Sequence, residues 1–365
     1  MSQSPSDFEM SLDDAAVGAT EASAIQPPQI NPSAASPAPS AMEKMEQQRQ
    51  RASRLLQALR AELEKALIGQ SAVIEGVLCS LIASGHVLIE GVPGLGKTLL
   101  VRALAQCFAG HFNRIQFTPD LMPSDITGHA IYDLQSEQFK LRKGPAFTNL
   151  LLADEINRAP AKTQAALLEV MQERSITLEG RSLEVPQPFM VLATQNPIEQ
   201  EGTYPLPEAE LDRFMVKLHM SYPEESHEQQ LVREVTRSAR ADMLDSTPLR
   251  TLLHARDLQA MQKIASAIAV DDSVLNYAVR LVRMTRQWPG LTSGAGPRAS
   301  IDLIRYARAA ALLNGNAFVT PDDVKRSALN VLRHRVHLSA ELEIEGLQVE
   351  HVLQQLLDQV PVPRL

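Results

Sequence analysis

The sequence predicts an α/β protein: a parallel sheet covered on both faces by helices, followed by an all-helical second domain. Three observations carry this prediction. Five short apolar runs alternate with helical stretches, the texture of buried parallel strands in βαβ units. A glycine-rich segment separates the first run from a helix. After Pro223 the strand signals stop and only a 3.6-residue rhythm remains.

Residues 1–45 read as a disordered acidic leader dominated by Ser, Ala and Pro, including Pro27, Pro28, Pro32, Pro37 and Pro39. Leu55, Leu56, Leu59, Leu63 and Leu67 then recur at helical spacing and lead into Ile68-Gly69-Gln70. The predicted strands are His86–Gly91, Arg114–Thr118, Leu150–Asp154, Phe189–Asn196 and Phe214–Met220. Residues 130–142 and 175–185 read as hairpins projecting from the sheet; in the second, Ile176 and Leu178 alternate before Glu179-Gly180, and Leu183 and Val185 after it. These elements assign a core to residues 46–223. Residues 224–365 form the helical domain, with Val274, Tyr277, Ala278, Leu281 and Val282 behind the capping run Asp271-Asp272-Ser273. Thr320-Pro321-Asp322-Asp323 is a second helix start, with Pro at the first position and acids facing the positive dipole end.

Composition narrows the function. The 365 residues carry a net charge of −8, which argues against a protein held mainly by nucleic-acid phosphates. Apolar residues make up 44% of the chain, which excludes wholesale disorder. Cys79 and Cys107 sit in apolar surroundings and read as core residues of a reducing compartment; His111 beside Cys107 makes a metal site only with a third ligand. The first basic residue is Lys44, so no secretory start is expected, and the most apolar window, Val77–Val92, is broken by Ser80, His86 and Glu90. The expected location is cytoplasmic, with no membrane span.

The chemistry starts at Gly91-Val92-Pro93-Gly94-Leu95-Gly96-Lys97-Thr98, which follows a strand and opens a helix. Glycines let successive backbone N–H groups turn inward around a phosphate, and the helix N-terminus adds partial positive charge. Lys97 can reach the β- and γ-phosphates of a nucleotide, and the Thr98 hydroxyl can ligate Mg²⁺.

Leu150–Asp154 is a buried strand whose end carries Asp154 and Glu155. Asp154 can hold hydrated Mg²⁺. Glu155, on the opposite face by strand alternation, can polarise a water for in-line attack, which marks hydrolysis rather than transfer to a bound acceptor. Asn196 closes a neighbouring strand and can orient that water. Arg213 directly precedes the last strand, and Arg298 follows Gly296-Pro297 at the start of a helix. Phosphoryl transfer spreads negative charge that such cations stabilise; Arg298 could act from its own subunit, whereas Arg213 would have to come from a neighbour.

These residues, with Asp154-Glu155-Ile156-Asn157-Arg158-Ala159, Ala193-Thr194-Gln195-Asn196-Pro197 and the string Glu201–Phe214, resemble the MoxR family of AAA+ ATPases over residues 46–340. The resemblance implies an αβα AAA+ core with a helical lid, assembled as a homo-oligomeric ring, a hexamer in expectation. It implies ATP and Mg²⁺, with Lys97 and Thr98 as Walker A, Asp154 and Glu155 as Walker B, Asn196 as sensor 1, Arg213 as the arginine finger and Arg298 as sensor 2. Ile68, Gly69 and Gln70 would lie near the adenine, and Arg158 is a second candidate for the contact across the subunit boundary. The family is thought to mature or activate protein partners, often ones with von Willebrand factor A domains. The hairpins resemble the helix-2 insert and pre-sensor hairpin of a clade that also holds magnesium chelatase subunits.

Two other functions share these parts. A nucleic-acid motor would need a basic surface interleaved with aromatics, and aromatics are only 4% of this acidic chain. A magnesium-chelatase-like motor shares the hairpins. Lys325, Arg326, Arg333 and Arg335 read as a solvated face, with His334 and His337 as surface residues.

Overall fold

The computed structural model describes residues 41–196, 202–237 and 249–363. The expected leader falls outside them up to residue 40, as do residues 197–201 of the family motif.

Helix α1 (Ala41–Ala66) buries the leucine stripe Leu56, Leu59 and Leu63. Helix α2 (Ser71–Ile82) is apolar almost all round and correspondingly buried, as a helix inside a core must be. Strand β1 (Val87–Glu90) runs through the phosphate-loop segment into α3 (Lys97–Cys107), and β2 (Phe112–Gln116) follows. A short α4 (Pro123–Thr127) leads into the hairpin β3 (Gly128–Asp133) and β4 (Gln138–Lys143). Strand β5 (Leu150–Asp154) and α5 (Ala161–Glu173) precede the second hairpin, β6 (Ser175–Leu178) and β7 (Arg181–Glu184). Strand β8 (Met190–Gln195), the single-turn α6 (Glu208–Leu211) and β9 (Val216–His219) complete this part.

Five strands form one parallel sheet in the order β2-β5-β8-β1-β9. Strand alternation divides its side chains between two cores. Val87, Ile89, Leu150, Leu152 and Leu192 pack with α1, α2, α3 and the C-terminal helices. Leu88, Leu151, Ala153, Val191 and Phe214 pack on the other face, with Leu167, Leu168 and Met171 of α5. Both faces are covered, which is why the central strands β5, β8 and β1 read as continuous apolar runs, while the edge strands β2 and β9 carry polar residues. Strand β2 ends earlier than Thr118, the predicted limit, because its partner β5 ends at Asp154, opposite Gln116.

After β9 come α7 (Glu225–Arg237), α8 (Ala255–Ser266) and α9 (Asp272–Thr285). The strand β10 (Leu291–Ser293) leads to α10 (Pro297–Asn314) and α11 (Pro321–Leu332); β11 (His337–Leu338), α12 (Ala340–Ile344) and α13 (Val349–Gln359) end the described chain. Among its described residues, the lid carries one strand ladder, β10–β11, beside its helices. Strands of two and three residues are too short to leave an alternation signal. Asp271 caps α9 by accepting from the Ser273 N–H at 2.8 Å, and Thr320 forms a capping box with Asp323 at the start of α11.

The lid is tied to the sheet by charge as well as packing. Glu90 at the end of β1 pairs with Lys217 at 2.9 Å and His219 at 3.1 Å, and His219 also lies 3.5 Å from Glu350 on α13. Burial raises the Glu90 carboxyl, but His219 and Lys217 outweigh it and bring it down to about 2.

Two sequence expectations are corrected here. His334 is buried, with Nε2 donating to the Phe214 carbonyl at 2.9 Å, and burial pushes its pKa well below the usual value. Arg335 is buried too, with a carboxylate oxygen of Asp302 2.7 Å away and one of Asp212 2.9 Å away. A helical charge pattern cannot show that the helix end is covered by another part of the fold. Cys79 and Cys107 are free and buried, and burial raises both thiols.

Candidate functional site

The glycine-rich loop joins the C-terminal end of β1 to α3. Gly94 and Gly96 have φ of 86° and 91°, a left-handed conformation that side chains disfavour. Gly91 is required for a different reason: a Cβ there would lie 2.5 Å from the Met220 carbonyl oxygen. The loop therefore passes against the segment after β9, and α3 opens with its first N–H groups towards the loop. Lys97 curls back, Nζ donating to the Gly91 carbonyl at 2.5 Å. Burial lowers its pKa, opposed by Asp154, Glu155 and Glu90.

Beside the loop lies an open cleft of about 660 Å³. Lys97 and Thr98 line it from one side, Asp154 and Glu155 from the end of β5, and Asn196 from the end of β8. The sheet order puts β5 and β8 side by side with β1 next, so all three C-terminal ends open into one place. Thr194 Oγ1 donates to Asp154 Oδ1 at 2.6 Å and accepts the Glu155 backbone N–H at 2.9 Å.

Glu155 diverges from Asp154 by a mechanism the alternation argument missed. The strand ends at Asp154, and Glu155 takes φ 56°, a strained left-handed conformation for a side-chain-bearing residue. Its Oε2 accepts from Gln116 Nε2 at 2.7 Å and from Arg158 Nη1 at 3.0 Å. Arg158, the second candidate for a contact between subunits, is thus bound to Glu155 of its own chain.

Arg114, Gln116 and Thr194 were not singled out in the sequence. Arg114 reaches Asp154 Oδ2 through Nε at 3.1 Å and Nη2 at 2.7 Å. The signal available was the Arg-x-Gln spacing, which puts both side chains on one face of β2, but only the β2–β5 register brings them to the acids. Ile68, Gly69 and Gln70 do not line the cleft. Gly69 packs on Pro223 and His227, and Gln70 Nε2 donates to the Ser221 carbonyl at 2.8 Å.

Arg213 and Arg298 share a second cavity, of about 180 Å³, with Arg174 and Arg305. Gly85 and His86 line it too, so it opens at the N-terminal end of β1. The phosphate loop leaves the other end of that strand, about 13 Å away at 3.3 Å per residue. The start of α10, with Arg298, thus lies beside the edge of the sheet away from the phosphate loop, whereas the resemblance has Arg298 as sensor 2. Arg213 Nη1 donates to Gln172 Oε1 at 2.6 Å and to the Leu168 carbonyl at 3.2 Å. Arg298 forms no hydrogen bond or ion pair among the described residues.

The cleft fits a nucleotide triphosphate and Mg²⁺. A Cβ at Gly94 would meet no atom within 4 Å, so the cradle is open, and a hydroxyl and a carboxylate, Thr98 and Asp154, stand in the same cleft as oxygen donors for a hard cation.

Comparison with known proteins agrees with this geometry. The profile of the ATPase family associated with various cellular activities (AAA) matches residues 86–216, and that of the AAA lid domain matches residues 283–356. The chain is 43% identical over 301 residues to the uncharacterized protein YeaC of Bacillus subtilis, covering 82% of this chain and 92% of YeaC. It is 42% identical over 315 residues to chaperone MoxR1 of Mycobacterium tuberculosis, covering 83% and 81%. A crystal structure from Cytophaga hutchinsonii, whose description proposes an ATPase, superposes with a TM-score of 0.82 at 37% identity, covering 88% of this chain and 99% of that one. The sheet order, the phosphate loop, the acidic strand end and these relatives lead to one conclusion: the chain belongs to the MoxR family of AAA+ ATPases.

Proposed function

We propose that the chain hydrolyses ATP as a subunit of a homo-oligomeric ring, a hexamer by family likeness, and thereby remodels or activates protein partners. Lys97 meets the β- and γ-phosphates, and Thr98 and Asp154 hold Mg²⁺, which supplies charge neutralisation at the phosphoryl oxygens. Glu155 accepts the proton of the attacking water, which Asn196 orients. Arg213 and Arg298 arrive from the adjacent protomer.

The observation that carries this reading is the position of the two arginines. They lie together at the N-terminal edge of the sheet, while the phosphate loop lies at the C-terminal edge. This separation within one chain favours a head-to-tail ring, in which the arginines of one protomer meet the phosphate held by the acids of the next. The chaperone name of one relative, MoxR1, favours protein clients; the family resemblance makes von Willebrand factor A domain proteins the first class to test. Tyr132, Leu134 and Phe139 stand exposed on the hairpin β3–β4, apolar surface of the kind a protein partner covers.

The test is ATP turnover per chain against protein concentration, with Arg213→Ala alongside. Turnover should rise as rings assemble, and Arg213→Ala should lose about 10³-fold while still binding ATP. Turnover independent of concentration, or untouched in Arg213→Ala, overturns the reading.

A further inference from the structure

The residues on either side of Arg213 are held from the lid. Arg335 follows α11, and its side chain is only 2% exposed. Its Nη2 lies 2.9 Å from the Phe214 carbonyl oxygen, 3.1 Å from that of Asp212 and 2.7 Å from Asp302 Oδ2. Nε stands 2.9 Å from Asp212 Oδ1, an ion pair out of line for a hydrogen bond. His334 donates to the same Phe214 carbonyl at 2.9 Å. Asp302 sits four residues after Arg298 on α10, so the two share a helix face. One guanidinium therefore grips the finger segment and the helix that carries Arg298.

We infer that Arg335 is a positioning residue that locks Arg213 and Arg298 into a single unit presented to the neighbouring protomer. The inference rests on the trans reading of those two arginines. Its own backbone is anchored on both sides: the Arg335 N–H donates to the Leu332 carbonyl at 2.9 Å, and β11 begins two residues later. Only a planar fork of five donors can serve two carboxylates and two carbonyls at once; a lysine ammonium offers three donors from a single point. Lid rotation is thereby transmitted to the finger, because Asp212, Phe214 and Asp302 all move with the same side chain. Loosening that grip lets the finger stray, and a misplacement of about 1 Å costs on the order of 10²-fold in rate.

The experiment uses full-length Arg335→Lys and Arg335→Met, with Asp302→Asn as a variant that keeps the arginine. Each alone should lose about 10²-fold in ATP turnover, with the affinity of its own cleft for a fluorescent ATP analogue unchanged. Each is then mixed with excess Glu155→Gln chains, which have impaired active sites but intact arginines. Turnover should return, because the Glu155→Gln neighbour supplies Arg213 and Arg298 to the variant's competent cleft. No return for the Arg335 and Asp302 variants, under conditions where Arg213→Ala is rescued, overturns the inference and makes Arg335 a fold-stabilising residue only. Failure of Arg213→Ala itself to be rescued removes the trans reading, and this inference with it.

Discussion

Thr194 Oγ1 donates a 2.6 Å hydrogen bond to Asp154 Oδ1 while accepting the Glu155 backbone N–H at 2.9 Å. One fully buried hydroxyl thus orients one acid and pins the strained backbone of the next. Thr194→Val keeps the shape and removes both bonds, leaving the Glu155 N–H without its acceptor. The expected cost is about 1–3 kcal/mol in unfolding free energy, together with a higher Mg²⁺ requirement for ATP turnover. A melting curve and a Mg²⁺ titration check both.

Glu155→Gln preserves the size and the contact with Gln116 but cannot take a proton from water. Turnover should fall on the order of 10²–10⁴-fold, with ATP retained on the protein. Quenched-flow turnover and nucleotide retention on a desalting column measure the two halves. Wild-type turnover in this variant removes Glu155 from the mechanism.

Gly91→Ala and Gly96→Ala should fail for different reasons. At Gly91 the new Cβ meets the Met220 carbonyl oxygen at 2.5 Å, so the loop must move, at about 1–3 kcal/mol. At Gly96 the nearest atom is 3.9 Å away and only the φ of 91° is costly, about 1 kcal/mol. Thermal shifts with and without ATP should show the first variant losing both stability and ATP-induced stabilisation, the second mainly a smaller part of each.

Acid should destabilise the protein through His86. Its Nδ1 accepts the Val191 N–H at 3.0 Å and its Nε2 donates to the Met171 carbonyl at 3.1 Å, so the folded ring is neutral. Burial holds its pKa down to about 4 against an ordinary 6.5; the Met171 bond opposes this, and Arg174, Arg305 and Arg298 add to it. The unfolded chain therefore binds the proton first. Stability present above pH 6.5 is lost as pH falls towards 4, on the order of 3 kcal/mol in all. His86→Asn, which offers an acceptor but does not titrate there, should flatten the fall in melting temperature between pH 6.5 and 4. An unchanged slope would rule out His86 as its source. His334 acts in the same direction, so some slope should remain.

Much of the fold was legible because its signals are local. The apolar runs of β1, β5 and β8 are continuous since both faces of the sheet are covered, and the hairpin β6–β7 alternates within its own residues. The site was legible where its residues adjoin: Gly91 to Thr98, and Asp154 with Glu155. It was illegible where partners come from distant segments. Arg114 meets Asp154 across 40 residues, and Arg335 meets Phe214 across 121. Nothing in the composition around Arg335 separates a buried ion pair from a wet one.

By itself the sequence determined the strand–loop–helix cradle and its acids, because backbone freedom at glycine and side-chain periodicity act over a few residues. Only the tertiary structure decided which edge of the sheet each arginine faces and that the end of α11 is buried. Those outcomes come from strand order and from docking whole apolar faces, which are properties of the assembled surfaces rather than of any one segment.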